Sequence, residues 1–399
     1  MINLQMIHEA RQKVSEIINA TPIFTASRLG DNIYIKMENL QKTGSFKIRG
    51  AYNKISNLTD EEKKKEVIAC SAGNHAQGVA LSATKQGIKS YICVPSVTPL
   101  SKIDATKGYG GEVIVVEGSF DDAMKRALEL KEEHNYTFIH PFDDEYVIAG
   151  QGTIGLEILE QLEDIENIIV PIGGGGLISG IALAVKETNP KVKIIGVEPE
   201  NAASMRDSIK ANKRMLLDSV NTIAEGVAVK IPGEQTFALV KKYVDEIVTV
   251  SESEISNSIL RLLEEGKTTA EGAGACSIAA AISDKYSFKG KTVCVLSGGN
   301  INVNMISKII KTGLFGSGRL TEVVTTLVDK PGELVKILEI VKKCGANVLN
   351  INQYSESSHM QLNTMVVRIV LETFNETHQR AVWQALRDAG YEHFREAIY

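Results

Sequence analysis

The feature that most constrains this chain is a run of four glycines set between a β-branched stretch and an apolar helix. Ile168-Ile169-Val170-Pro171-Ile172 is followed by Gly173-Gly174-Gly175-Gly176 and then Leu177, after which Ile178, Ile181, Ala182 and Val185 fall on one helical face. The order is strand, glycine turn, helix N-terminus. One or two glycines satisfy a tight turn that needs positive φ, and four in a row exceed that need. Successive backbone amides at the positive end of a helix dipole make an anion cradle, and glycine lets a phosphate approach the main chain closely. No GxGxxG with an acidic residue further on accompanies the run, and no lysine follows it as a P-loop requires. Dinucleotide and nucleoside-triphosphate readings weaken accordingly.

The same strand-to-turn texture recurs between about residues 64 and 200, where short β-branched runs alternate with helical patterns. This is the signature of βα units feeding a mostly parallel sheet, and hence of an α/β fold. Candidate strands are Val67 to Cys70, Tyr91 to Val94, Val113 to Val116, Ile168 to Ile172, Ile194 to Val197 and Thr292 to Leu296. Those ending at Cys70, Ile172 and Leu296 run straight into a polar or glycine-rich turn. In open α/β sheets, ligands bind at such carboxyl ends.

At 399 residues the chain suits a large catalytic body with a smaller appendage. The densest glycine cluster outside the turns, Thr312-Gly313-Leu314-Phe315-Gly316-Ser317-Gly318, marks a linker. Beyond it, strand Leu320 to Val328, helix Glu333 to Lys343, strands Val348 to Tyr354 and Thr364 to Leu371, helix Glu376 to Asp388 and a short strand Glu392 to Ile398 spell βαββαβ, a ferredoxin-like order.

Net charge of −5 offers no basic field for nucleic acid. No stretch approaches the roughly 20 apolar residues of a membrane span. Cys70, Cys93, Cys276, Cys294 and Cys344 are odd in number and lack CxxC or clustered histidines, so they read as reduced core residues with no metal site. The first 20 residues carry no secretory signal pattern. A cytoplasmic protein is expected.

Two further segments carry chemistry. Gly44-Ser45-Phe46-Lys47-Ile48-Arg49-Gly50-Ala51 sets Lys47 between an aromatic and a β-branched residue. Partial burial there would lower its pKa and leave a free amine able to condense with an aldehyde, although a surface lysine with its stem on the core edge fits the same few residues. Ser71-Ala72-Gly73-Asn74-His75-Ala76-Gln77-Gly78 follows a strand and precedes a helix beginning near Ala76. Small residues at that N-terminus leave amides free to hold a carboxylate, and ordinary capping by Ser71 or Asn74 is the plain alternative.

Together with Ser297-Gly298-Gly299-Asn300, these motifs resemble the threonine dehydratase and serine racemase group of fold-type II pyridoxal-phosphate enzymes, in that family's order and over about residues 1–313. The resemblance implies a tryptophan-synthase-β-like pair of open α/β subdomains, the smaller at about 52–147, with pyridoxal 5'-phosphate as cofactor. It implies that Lys47 carries the cofactor as a Schiff base and acts as base, and that Phe46 lies against the ring. Asn74 would contact the ring hydroxyl, Gly173, Gly174, Gly175, Gly176 and Leu177 would hold the phosphate by their amides, and Ser297 would face the pyridine nitrogen. Ser71, Ala72, Gly73, Asn74 and His75 would hold the substrate carboxylate, with Ser71 also a candidate catalytic residue. A hydroxyl at the ring nitrogen, in place of an acid, favours prompt β-elimination over long-lived carbanion chemistry.

The implied reaction is ammonia loss from L-threonine, and from L-serine. A serine or threonine racemase and a non-catalytic amino-acid sensor remain the alternatives. The tail, residues 320–399 beyond a linker at 314–319, resembles an ACT domain through Asp329-Lys330-Pro331-Gly332-Glu333-Leu334. This implies allosteric control by an amino-acid effector near Asp329, Pro331, Gly332, Leu334 and Asn350, and a homodimer or homotetramer. Isoleucine inhibition would mark a role in isoleucine biosynthesis.

Overall fold

The computed structural model describes residues 2–354 and 363–391. Its strands, in chain order, are β1 (Ile23–Thr25), β2 (Ile33–Met37), β3 (Val67–Cys70), β4 (Ser90–Pro95), β5 (Glu112–Val116), β6 (Thr137–Phe138), β7 (Ile165–Pro171), β8 (Lys193–Pro199), β9 (Glu246–Val250), β10 (Lys291–Leu296), β11 (Leu320–Val328), β12 (Asn347–Tyr354) and β13 (Thr364–Glu372). The chain divides into two compact units, Met1–Ile301 and Asn302–Tyr399.

The first unit holds two sheets. One is six-stranded in the order β1-β2-β10-β7-β8-β9, parallel except for β1, and the other is the parallel sheet β5-β4-β3-β6. Each has its own core. Ile168, Val170, Ile178, Ile181 and Val293 lie in the larger one, and Val67, Ala69, Val79, Ile92 and Ile139 in the smaller. Fully buried strands such as β3 and most of β7 need helices on both faces, which explains their unbroken apolar runs. The strands read from the sequence for this unit are present within a few residues at each end, and β1, β2, β6 and β9 are additional.

Helix Glu145–Gln161 is the spacer of this unit. It starts at Asp144, whose carboxylate accepts from the Tyr146 and Val147 amides, and it is buried along most of its length. Glycines let two other helices approach it closely. A Cβ on Gly150 would stand 2.5 Å from the Arg49 carbonyl, and one on Gly180 would stand 2.3 Å from the Ile148 carbonyl. Helices Lys47–Ser56 and Gly176–Thr188 are thereby fixed against one common partner, and these two begin at the lysine and at the glycine run.

A buried charge network reinforces the first contact. The Arg49 guanidinium donates to both Glu38 oxygens at 2.8 Å, to Glu157 and to Thr153 Oγ1 at 3.1 Å. Lys36, fully buried on β2, donates to Glu157 at 2.6 Å, the Thr21 carbonyl at 2.7 Å and Gln161 at 3.0 Å. Two cations and two carboxylates thus cancel out of water.

In the second unit, β11-β13-β12 form an antiparallel sheet whose core contains Val323, Ile337, Val341, Val367, Ile369, Val382 and Leu386. Helices Glu333–Cys344 and Glu376–Asp388 supply part of that core, giving βαββα. The strand expected at Glu392 to Ile398 lies outside the described residues. Helix Val303–Gly316 runs through the first part of the expected linker, so that only 317–319 remain as a turn before β11. The glycines at 313 and 316 do not break it.

Replacing Arg49 with Leu leaves the buried Glu38 carboxylate without a cation and Glu157 with Lys36 alone, so the protein loses about 3–5 kcal/mol of stability. Guanidinium denaturation followed by circular dichroism measures this, and a loss below about 1 kcal/mol would contradict the network's role.

Candidate active site

The carboxyl ends of β3, β7 and β10 open on one cavity of about 630 Å³ in the first unit. Phe46, Lys47, Ser71, Ala72, Gly73, Asn74, His75, Gly173, Gly174, Gly175, Gly176, Leu177 and Ser297 all line it, so the segments singled out in the sequence converge. The Phe46 amide donates to the Ser297 carbonyl at 3.1 Å, and Ser45 bridges Gly298 antiparallel, which sets the lysine segment beside the end of β10.

Lys47 is the first residue of its helix, with Nζ 5.3 Å from the Phe46 ring centroid and donating to the Pro141 carbonyl at 2.8 Å. Burial lowers its pKa to about 8, against a weaker upward pull from Glu271. An amine in this setting is available as a nucleophile near neutral pH.

At the glycine run, Gly175 has φ of 95°, a left-handed conformation, and helix Gly176–Thr188 begins there without a side-chain cap. Cβ atoms on these glycines would stand 2.4 Å from the Phe142 ring at Gly174 and 2.8 Å from the Phe142 carbonyl at Gly176. Thr236 Oγ1 donates to the Gly174 carbonyl at 2.6 Å and holds the turn in place. An uncapped helix start, built from bare backbone and opening on a cavity, suits a phosphate.

Helix Asn74–Lys85 starts at Asn74, two residues earlier than the sequence suggests, and has no side-chain cap either. Ser71 Oγ accepts from the Gly73 amide at 3.2 Å and shapes the turn. The His75 ring is committed elsewhere. Its Nε2 donates to the Ile139 carbonyl at 2.9 Å, and burial with the nearby Lys47 charge lowers its pKa to about 3, so it is neutral. The residues at 71–75 therefore offer the cavity mainly main-chain amides. Phe46, Asn74 and Ser297 add a flat apolar face, an amide and a hydroxyl. An aldehyde-reactive amine, an anion cradle and a second helix N-terminus fit pyridoxal phosphate together with an amino-acid carboxylate.

The sequence reading missed Glu271, His140 and Phe142 at this site, and it gave Asn300, within the 297–300 motif, no role of its own. His140 Nδ1 accepts from the Phe142 and Asp143 amides, at 3.3 and 2.8 Å, and so shapes the turn that carries the Pro141 carbonyl to Lys47 and Phe142 to the glycines. The signal was present, because His140-Pro141-Phe142-Asp143 follows the end of β6 as Ser71 follows β3. Across the mouth, Lys102 pairs with Glu225 at 2.7 Å and Lys230 with Asp121 at 3.4 Å, joining the smaller sheet's side to the loop before residue 231. The expected effector residues belong to the second unit. Asp329, Pro331 and Gly332 lie on an exposed turn, Leu334 opens a helix, and Asn350 sits at a register shift of β12.

Residues 14–298 match the family profile "Pyridoxal-phosphate dependent enzyme". An L-threonine ammonia-lyase of Thermotoga maritima is 49% identical over 397 residues, 98% of this chain and 99% of that protein. Among solved structures, the processed form of threonine deaminase isoform 2 from Solanum lycopersicum shares 43% identity over 77% of this chain and 87% of its own, with a TM-score of 0.74. Maize serine racemase shares 36% identity over 78% and 98%, with a TM-score of 0.74.

The buried amine titrates low, and its reactivity follows. In cofactor-free protein, labelling of Lys47 by an aldehyde probe with borohydride rises with pH and levels off just above about pH 8. An ordinary exposed lysine keeps gaining toward about pH 10.4. Peptide mass spectrometry at each pH reads the two apart, and a Lys47 profile still climbing at pH 10 would show the amine to be solvated.

Proposed function

Because the chain belongs to the pyridoxal-phosphate dependent enzymes, we propose that its cavity eliminates ammonia from L-threonine to give 2-oxobutanoate, and from L-serine to give pyruvate. The observation that carries this reading is the convergence of the Lys47 amine, the Gly173–Gly176 cradle and the Asn74 helix start on one cavity.

When bound, pyridoxal phosphate supplies the carbonyl that the substrate amine condenses with and the electron sink that makes the α-proton removable. The chain's own groups divide the remaining work. The amides of Gly173 to Leu177 would hold the phosphate, Phe46 would flank the ring, and Ser297 would meet the ring nitrogen with a neutral hydroxyl. The amides of Ala72, Asn74 and His75, those of Ser71 and Gly73 being spent on the Cys93 carbonyl and Ser71 Oγ, would grip the substrate carboxylate and fix which Cα bond points at the base. Lys47 Nζ, whose pKa burial lowers to about 8 so that the free amine is accessible near neutral pH, takes the α-proton. Loss of the β-hydroxyl as water and hydrolysis of the released enamine account for the oxoacid and ammonia. The β-methyl that separates threonine from serine is worth about 1–3 kcal/mol in an apolar pocket, so both are turned over.

The Ser71 hydroxyl lining the cavity favours a second reading, in which it is the proton donor on the opposite face in a racemase. The βαββα unit binds an amino acid around Asp329 to Leu334 and Asn347 to Asn352 and thereby adjusts turnover. Its likeness to an ACT domain supports this, and with it a homodimer or homotetramer. No helix among the described residues is long and apolar enough to cross a membrane. We place the protein in the cytoplasm, where its five unpaired cysteines stay reduced.

Lys47→Ala loses the visible cofactor band and at least about 10³-fold in kcat/KM for threonine, read by absorbance and by oxoacid release. Chiral analysis of recovered substrate separates the readings, since accumulation of the D-enantiomer faster than oxoacid would favour the racemase. Truncation after Gly316 abolishes effector responses, measured by titrating isoleucine, valine and nucleotides into steady-state assays. An unchanged response would end the regulatory reading.

A further inference from the structure

We propose that Glu271 is a positioning residue which, with Asn300, locks the side-chain amide of Asn74 in one orientation across the cleft. The proposal rests on reading Asn74 as the contact of the cofactor's ring hydroxyl. Glu271 immediately precedes helix Gly272–Ala281, and Asn300 lies just beyond β10, so both belong to the six-stranded side. Asn74 opens a helix on the four-stranded side.

Asn74 Nδ2 donates to Glu271 Oε1 at 2.6 Å, and Asn74 Oδ1 accepts from Asn300 Nδ2 at 2.8 Å. Asn300 Nδ2 also donates to the Thr43 carbonyl at 2.7 Å, so its own orientation is fixed. The two contacts on Asn74 have opposite polarity. A flipped amide would set donor against donor at Asn300 and acceptor against acceptor at Glu271, replacing two hydrogen bonds by two repulsions. An amide has two N–H groups, and the one not given to Glu271 is left for the cavity that Asn74 lines.

Glu271 has no simpler occupation. It stands at the N-cap position of its helix yet its side chain makes no capping bond, and among the described residues no cation forms an ion pair with it. Lys47, Lys102 and Glu225 are the charged groups that face it, and burial raises its carboxyl pKa. The backbone is cleared for it as well. A Cβ on Gly298 would stand 2.2 Å from Glu271 Oε1 and 3.2 Å from Asn74 Nδ2, and the Glu271 amide donates to the Gly298 carbonyl at 3.2 Å. The glycine after Ser297 thus makes room for this carboxyl.

The test uses the full chain, stripped of cofactor and titrated with pyridoxal phosphate. In E271A the dissociation constant rises about tenfold, the loss of one buried hydrogen bond, and the visible maximum moves in the same direction as in N74A. For the reloaded enzyme, kcat for threonine falls while KM changes less than about threefold, because the clamp orients the cofactor and leaves the carboxylate site intact. E271Q keeps an acceptor oxygen for Asn74 and restores affinity and spectrum to within about threefold. N300L removes the other half of the clamp and repeats the E271A shift, which gives a second reading should E271A fail to fold. Wild-type spectrum and affinity in both E271A and N300L would overturn the clamp, as would E271Q behaving like E271A. A wild-type spectrum in N74A would instead remove the ring-hydroxyl assignment on which the clamp depends.

Discussion

The start of helix Lys47–Ser56 is held in place by Arg49, and most of the site depends on that hold. Two residues beyond the reactive amine, its guanidinium is gripped by Glu38 and Glu157, with Lys36 balancing the charge. Burying four charges is costly, and the cost is offset only while all of them are present and hydrogen-bonded. Their value to the protein lies in geometry more than in net stability. Glu38 follows β2 and Glu157 lies on helix Glu145–Gln161, so the arginine triangulates the lysine against both a sheet and a helix. The same long helix receives the glycine-run helix through Gly180, and the distance between amine and anion cradle is therefore set by packing remote from the cavity.

Much of this was legible in the sequence, and the exceptions share a cause. Apolar runs such as Val67 to Cys70 and Ile194 to Val197 announce themselves because both faces of their strands are buried. Ile33–Met37 does not, because Lys36 interrupts the run. That lysine is buried through pairing with Glu157, which lies 121 residues away. The βαββα order of the second unit was readable from helical and alternating periods. Its junction was less so, because glycine frequency marks flexibility only where packing does not override it, and helix Val303–Gly316 persists across Gly313.

The site divides in a similar way. Motif-bearing turns at the ends of β3, β7 and β10 could be found because glycine and small residues have few other reasons to cluster there. Glu271 and Asn300 act through Asn74; the first leaves only an ordinary Glu in the sequence, and the second stands in the 297–300 motif with nothing there to show its partner. His75 shows the reverse. It sits inside a conspicuous motif, and its ring is spent on the Ile139 carbonyl. At the turns after β3 and β7 the cavity is lined largely by main chain, so side-chain identity is concentrated in a few positions: one amine, one amide, one hydroxyl and one aromatic face.

The low basicity of Lys47 comes chiefly from dryness, since no cation among the described residues holds its proton off. A property set by solvation can be undone by solvation. Water entering the cavity would move the amine back toward the basicity of an exposed lysine with every bond in place. The rim pairs Lys102 with Glu225 and Lys230 with Asp121 span that entrance. The dryness of the cleft is thus as much a condition of its base's reactivity as the residues that line it.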